Sequence, residues 1–278
     1  IYDTYLAKIN PNGSWEWVEN MGSKYVCPCT VDVDNSDNIW ATAIDIWTGH
    51  ANSYVQVFEK YDVNGQLLNS TQINGGVVKI HATTSDTNDN LYFAGQFGGS
   101  FSVIINGTTQ SLTYESPGED LLVGKMDMNG NFLWVQKAEQ SSQISRIYDI
   151  AINGTDQIYL TGYFYATFEL ANTTLNAGGN SNGFLAKINS TGDWQWLKEM
   201  DCSCTVEMRS ITADVSGNLY VGGYQTNGLV TYGNGVSNTA SSGGKDAILA
   251  KYDGNGIAQW AKSFGRNNDD QARAITRD

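Results

Sequence analysis

The sequence predicts an all-β protein, a β-propeller of four-stranded antiparallel blades, on three observations. One short unit recurs five times along the 278 residues. A second turn-bearing hairpin follows four of its copies, and no stretch carries a 3.6-residue hydrophobic period. The unit reads Lys8/Gly13/Trp17, Lys60/Gly65/Asn69, Lys125/Gly130/Trp134, Lys187/Gly192/Trp196 and Lys251/Gly256/Trp260. Glycine always follows lysine by five residues, and the last position follows glycine by four. Only Asn69 replaces tryptophan there.

Each lysine closes a short apolar run, as in Tyr5-Leu-Ala-Lys8 and Leu249-Ala-Lys251. A turn rich in Asp, Asn and Gly follows, and then a second run that ends near the tryptophan. Asn and Asp tolerate left-handed φ, and Gly carries no Cβ, so the pattern is a tight hairpin. The second hairpin is centred on Asp34–Asn38, Asp86–Asn90, Asn153–Gln157 and Asp214–Asn218. Two hairpins per repeat make four strands. A lone four-stranded sheet leaves both faces open, whereas radially stacked sheets bury each other's faces. That is the propeller solution at this repeat length. The recurrent tryptophans are therefore expected between blades.

The units Asp246-Ala-Ile-Leu-Ala-Lys251…Gly256…Trp260 and Ile211-Thr-Ala-Asp214-Val-Ser-Gly-Asn-Leu-Tyr220-Val-Gly-Gly223 resemble the SBBP-type bacterial and archaeal β-propeller repeat over essentially the whole chain. The resemblance implies a secreted or surface-anchored multidomain protein whose propeller serves adhesion or binding. It brings no catalytic residues.

The repeats divide residues 1-278, taken as one domain, near 1-53, 54-118, 119-180, 181-244 and 245-278. The chain opens with the third and fourth strands of a blade and ends in Ala274-Ile-Thr-Arg-Asp278, the counterpart of the first strand at Ser210–Asp214. Five blades closed by strands from both termini are expected. The alternative is a fragment of a six- or seven-bladed propeller.

Composition excludes several classes. Net charge is −13, which argues against nucleic acid and anionic membranes as partners, since both need clustered Lys and Arg. No run of eighteen apolar residues is present, so membrane insertion is not expected. No charged start followed by an apolar segment is visible at Ile1. If the protein is secreted, the segment that directs it there lies outside this sequence.

Strand direction puts the hairpin turns at one end of each blade and the longer, variable connections at the other. Variable loops on a rigid scaffold are where recognition concentrates. Trp47, His50, Tyr114, Tyr165 and Tyr232 lie in those connections and are the candidate ligand-binding residues, for a protein or glycan at the long-loop face. The competing reading packs each back onto the blades. Ser102–Leu112, Phe168–Leu175 and Val230–Val236 read as additional hairpins that cover an outer sheet edge.

The four cysteines form two Cys-x-Cys pairs. Because the motif recurs at one repeat position, Cys27–Cys29 and Cys202–Cys204 disulfides are expected, and they would fit an oxidising compartment. A shared Cys₄ zinc site and free thiols are the alternatives. Asp32, Asp34 and Asp37 alternate oxygen donors in a way that invites calcium, but the glycine and distal glutamate of an EF-hand loop are missing, so an ordinary turn is expected. No metal site and no cofactor is predicted. Asn12, Asn69, Asn106, Asn153, Asn172 and Asn189 begin Asn-x-Ser/Thr triplets and are glycosylation candidates in a secreted protein.

His50 and His81 stand in separate repeats, with no nucleophile, phosphate loop or paired carboxylates around either. The sequence thus points to a non-enzymatic extracellular or cell-surface propeller, a scaffold or adhesion module of a larger protein or assembly. A lectin-like propeller is the alternative, and an enzyme with its site on the long-loop face is the second alternative.

Overall fold

The computed structural model describes residues 4–21, 30–45, 55–114, 119–141, 145–154, 156–239 and 243–277, with backbone alone at 45 and 139–141. Every regular element among them is a β-strand. A first sheet pairs β1 (Tyr5–Ile9) with β2 (Trp15–Asn20). A second runs β3 (Val31–Val33), β4 (Ile39–Asp45), β5 (Val55–Tyr61), β6 (Leu67–Ile73). The third blade has β7 (Val77–Ser85) and β8 (Leu91–Gly98), then an inserted hairpin of β9 (Phe101–Ile105) and β10 (Thr108–Leu112), then β11 (Asp120–Met126) and β12 (Phe132–Ser141). The fourth has β13 (Arg146–Ile152), β14 (Ile158–Leu170), β15 (Thr173–Ile188) and β16 (Trp194–Cys202). The fifth has β17 (Val206–Ala213) and β18 (Leu219–Thr226), the insert β19 (Leu229–Gly233) and β20 (Val236–Thr239), then β21 (Lys245–Tyr252) and β22 (Ala258–Phe264). Within a blade the strands are antiparallel neighbours in chain order, the predicted propeller arrangement.

Two compact units emerge, Ile1–Glu115 with Leu122–Gln136, and Ser116–Leu121 with Lys137–Asp278. In the first, Trp40, Phe58, Phe93, Phe97 and Phe132 interleave residues of the second and third blades in one core. In the second, Leu185, Met200, Val206, Met208, Val221 and Ile248 do the same for the fourth and fifth. Facing sheets thus bury each other, and each fully buried aliphatic or Phe side chain contributes about 1.5–3 kcal/mol.

One turn is used throughout. In the Lys–Gly unit the Asx residue at 10, 62, 127, 189 or 253 accepts, through its side chain, the backbone N–H groups two and four residues on. The glycine N–H returns to the carbonyl of that Asx residue. The glycines hold φ between 73° and 92°, the left-handed region that an L side chain disfavours. Asp37, Asp89, Asp156 and Gly217 occupy the same left-handed position in the second hairpins.

The repeated residues also join successive blades. Trp17 Nε1 donates to Val63 O at 2.9 Å, and Lys8 Nζ donates to the same carbonyl at 3.4 Å. A Cβ on Gly65 would stand 2.7 Å from the Trp17 ring. Lys60 Nζ reaches Met128 O at 3.1 Å, and Asn69 donates to Asn129 O beside Gly130. In the second unit Lys187 Nζ reaches Gly254 O at 3.4 Å, and Trp196 lies over Gly256. Trp17 and Trp196 are therefore half-buried lids on the next blade's turn, and Trp134 and Trp260 are half-buried as well rather than deep core.

The inserted hairpins border the fourth strand of the preceding blade. Asp201 and Cys202 of β16 pair with Thr231 and Val230 of β19. Glu139–Ser141 of β12 pairs with the outer part of β14 at Thr167–Glu169. Asn74, just past β6, bridges to Ser102 of β9. At the other end of the chain Ile275 N donates to Ser210 Oγ at 3.1 Å, just as Ile211 N donates to Asp149 Oδ2 at 2.8 Å. The last described residues thus lie beside β17 as β17 lies beside β13, but residues 265–277 form no strand, so the first strand expected at Ala274–Asp278 is not seen among them.

Candidate recognition site

The first strands of the third, fourth and fifth blades are each interrupted once. The ladder skips between Ile80 and Ala82, between Ile147 and Asp149, and between Met208 and Ser210. His81, Tyr148 and Arg209 are the extra residues. Such bulges re-aim a side chain out of the pleat. The facing strand must then let a carbonyl approach closely. A Cβ on Gly95, Gly162 or Gly223 would lie 1.9, 1.9 or 2.0 Å from the carbonyl oxygen of Lys79, Arg146 or Glu207. Glycine is the residue that fits.

In the second unit two of these bulges build a cluster at the long-loop end of the sheets. The Arg209 guanidinium lies 4.1 Å from the Tyr148 ring centroid and 5.5 Å from that of Tyr224. Its Nη2 donates to Glu207 Oε2 at 2.7 Å, and Tyr148 Oη donates to the same oxygen at 3.2 Å. Lys245 Nζ sits 4.3 Å from the Tyr224 ring, and Arg146 lies 5.6 Å from Tyr148. Tyr163 packs on Tyr148 at 5.5 Å and meets Tyr165 edge-on at 5.6 Å. Cation–aromatic contacts of this kind contribute about 0.5–2 kcal/mol each.

Burial, followed by the Glu207 carboxylate, pushes the Tyr148 phenol well above its ordinary range. Burial and the hydrogen bond to Glu207 do the same to Tyr224. Burial opposes the charge on Arg209, but Tyr148, Glu207 and Tyr224 outweigh it and raise its pKa. Near neutrality the cluster therefore presents neutral phenols stacked on a permanent cation.

Of the predicted binding residues, the structure brings Tyr165 into this cluster. Tyr114 is half-buried and packs against the core of the first unit. Tyr232 is a correction: only 2% exposed, it belongs to the core of the second unit, with its hydroxyl 3.4 Å from Gln225 Oε1. Period-two alternation on β19 turns it inward with Val230. Trp47 and His50 lie outside the described residues. The sequence reading missed Tyr148, Glu207, Arg209 and Tyr224, because they sit in strands that read as plain core. The legible signal was the glycine recurring at 95, 162 and 223.

Cys202 and Cys204 form a disulfide with Cα atoms 4.9 Å apart, and Cys27 and Cys29 lie outside the described residues. The three acids of the calcium reading serve separate contacts. Asp32 accepts from Ser85 Oγ, Asp34 pairs with Lys60 at 2.8 Å, and Asp37 is an exposed left-handed turn residue. Among the described residues no group of three or more His, Cys, Asp or Glu is placed to hold a metal ion. Asn12, Asn106 and Asn172 are exposed, whereas Asn69, Asn153 and Asn189 are half-buried and engaged in hydrogen bonds.

No family model matches the chain. Among curated proteins it is similar to an uncharacterized WD repeat-containing protein of Acanthamoeba polyphaga mimivirus, 24% identical over 212 residues, covering 66% of this chain and 15% of the relative. Among solved structures it is similar to an apocarotenoid oxygenase mutant from Synechocystis, with TM-score 0.46 and 11% identity over 93% of this chain and 55% of that one. An ACO/RPE65 chimera gives TM-score 0.44 and 10% identity with the same coverage. The chain thus spans a small part of the curated relative and about half of the oxygenase chains. The WD-repeat similarity agrees with a repeat β-propeller in general.

Proposed function

We propose that this chain is a non-enzymatic, extracellular or cell-surface propeller of the SBBP type, a scaffold and adhesion module that binds a protein partner at its long-loop face. The observation that carries the reading is the half-buried pair Tyr148 and Arg209, stacked over the buried Tyr224 at that end of the second unit. Tyr and Arg dominate the energetics of protein interfaces, because they bury a large flat surface and still offer hydrogen bonds. The residues that do repeat are used up in turns and blade joints, so specificity falls to positions that vary between blades. The Cys202–Cys204 disulfide supports an oxidising compartment.

Two measurements test this. Labelling of intact native cells with a membrane-impermeant amine reagent should tag the protein, and differential alkylation should find Cys202 and Cys204 oxidised. Recovery only from the cell interior with both thiols free would overturn the location. Crosslinking on the same cells should capture a protein partner, and a Tyr148→Ala/Arg209→Ala variant should lose most of that capture while still unfolding cooperatively well above the temperature of the experiment. Unchanged capture would remove the site.

A further inference from the structure

A groove of 510 Å³ opens on the outer side of the second unit, away from the cluster's residues. Its walls are the hairpin tip Leu170–Thr174, Glu169, Lys137 from β12 and Trp194 at the start of β16. The fifth blade repeats the construction. There the tip Tyr232–Asn234, Leu197–Glu199 of β16 and Gly256–Ala258 enclose 420 Å³. By repeat position Trp194 answers to Ala258 and Lys137 to Glu199, and by hairpin register Ala171 answers to Asn234 and Asn172 to Gly235. The architecture is therefore a by-product of the blade, and the residues decorating it are particular to each copy.

The two copies are decorated differently. In the fifth blade Asn234 donates to Ala258 O at 3.1 Å and ties the tip down, and Ala258 is buried. In the fourth, Ala171 stands at the place of Asn234 and has no amide with which to make that tie, Asn172 one residue on is exposed, and a half-buried indole replaces the alanine. Trp194 is not the tryptophan of the repeated unit, which is Trp196. Phe132, its counterpart in the third blade, is 6% exposed and belongs to the core, whereas Trp194 keeps part of its ring in the groove. Around it stand a carboxylate, an amide, hydroxyls and an ammonium. Glu169 Oε1 accepts from Thr174 Oγ1 at 3.3 Å, and Lys137 Nζ reaches Asp120 at 3.9 Å.

We infer that this groove is a carbohydrate-binding site in which a neutral hexopyranose stacks on Trp194. The C–H groups on one face of a pyranose carry partial positive charge and pack on the electron-rich face of an indole. Its equatorial hydroxyls lie near the ring plane, where each donates and accepts at once. Asn172 and Glu169 provide the matching acceptors, and the Asn172 amide and Lys137 the donors. The volume lies within the range of small-ligand sites, about 300–1,000 Å³. The Glu169 carboxylate disfavours an acidic sugar. Asn172-Thr173-Thr174 is also a glycosylation triplet, so the sugar has two sources: a free glycan, or a chain attached at Asn172 and folded back over Trp194.

The site does not depend on the protein-partner reading, and its test uses purified protein. Chain made in bacteria, without glycosylation, is screened on a glycan array, and the best-binding oligosaccharide is titrated against tryptophan fluorescence. A Trp194→Ala variant with unchanged melting temperature should bind at least tenfold more weakly, and Trp194→Phe should retain part of the affinity. Chain secreted from its natural host is mapped for sugar at Asn172. If sugar is found, its enzymatic removal should increase quenching of Trp194 by acrylamide, with no such increase in Trp194→Phe. A Trp194-dependent array ligand supports the free-glycan source, and a shielded Trp194 supports the attached one. No Trp194-dependent ligand, together with an unmodified Asn172 or an unchanged quenching, would overturn the inference. The surface-labelling result stands apart from either outcome.

Discussion

At the scale of single residues, the repeated unit is a joint. Glycine at position 65 has two reasons to be there: its φ of 82°, and a Trp17 ring 2.7 Å from where a Cβ would go. Gly65→Ala should therefore cost more than the left-handed backbone penalty alone, which is about 1–2 kcal/mol, with urea unfolding as the measurement. Gly13 has the same φ with open space around it, so Gly13→Ala should cost only the backbone part. The lysines show a similar contrast. Lys60 pairs with Asp34 at 2.8 Å and Lys125 with Asp86 at 3.1 Å, but Asn153 stands at the corresponding place beneath Lys187. Burial lowers the Lys187 pKa there. Asn153→Asp should supply the missing carboxylate, raise that pKa and stabilise by about 1 kcal/mol, the scale of a partly exposed pair. A thermal melt that shows no gain would refute the equivalence. Asp86 gives the pH dependence. Burial pushes its carboxyl up, but Asn90 and the Lys125 ammonium outweigh that and leave it below the ordinary range. A depressed folded pKa contributes stability above the unfolded value of about 3.9, and that stability is lost as pH falls through the folded value. Acid unfolding should therefore set in below about pH 4, and Asp86→Asn, which lacks the titrating carboxyl, should show a shallower loss across that window.

At the scale of elements, the inserted hairpins act as edge covers. The β19–β20 hairpin pairs with β16, and without it the N–H and C=O groups at Asp201 and Cys202 would be open to another chain. Replacing residues 229–239 by a two-residue turn should leave the β17, β18, β21, β22 ladder intact and produce dimers or larger species in size-exclusion chromatography. A monomeric product would show that the edge needs no cover. The hairpins themselves were legible in sequence from their Asn-Gly and Gly-Asn-Gly tips, and Asn106 and Asn234 do take left-handed φ. Which edge they cover was not legible, because the pairing joins residues of different repeats. The bulges were hidden for a related reason. An extra residue in a strand does not break the local apolar pattern, and it shows only as a register skip against the neighbouring strand.

At the scale of the molecule, the net charge of −13 opposes compaction by self-repulsion. Raising sodium chloride from low to physiological concentration should raise the melting temperature by a few degrees through screening. The C-terminal stretch has a structural part of its own in the second unit. Asp270 N, Ala272 N and Ile275 N donate to Lys245 O, Gly223 O and Ser210 Oγ, and Ile275 Cγ2 lies 3.1 Å from where a Gly222 Cβ would be. Ending the chain after Phe264 should expose β17 and β18 and speed amide exchange there, with the β13–β16 ladder changed least.

The sequence by itself determined the all-β class, the four-strand blade and the position of nearly every turn. Those features rest on local chemistry: Asx side chains that cap their own turns, glycine where φ is positive, and apolar runs short enough to be strands. It also marked the cysteine pair that forms the 202–204 disulfide. Tertiary structure alone decided which side chains meet. Tyr148 and Arg209 are neighbours because two bulges in different blades turn them toward each other, and Trp194 lines a groove because a hairpin from its own blade folds against the previous one. Contacts between repeats depend on how sheets stack, and no period within one repeat encodes them.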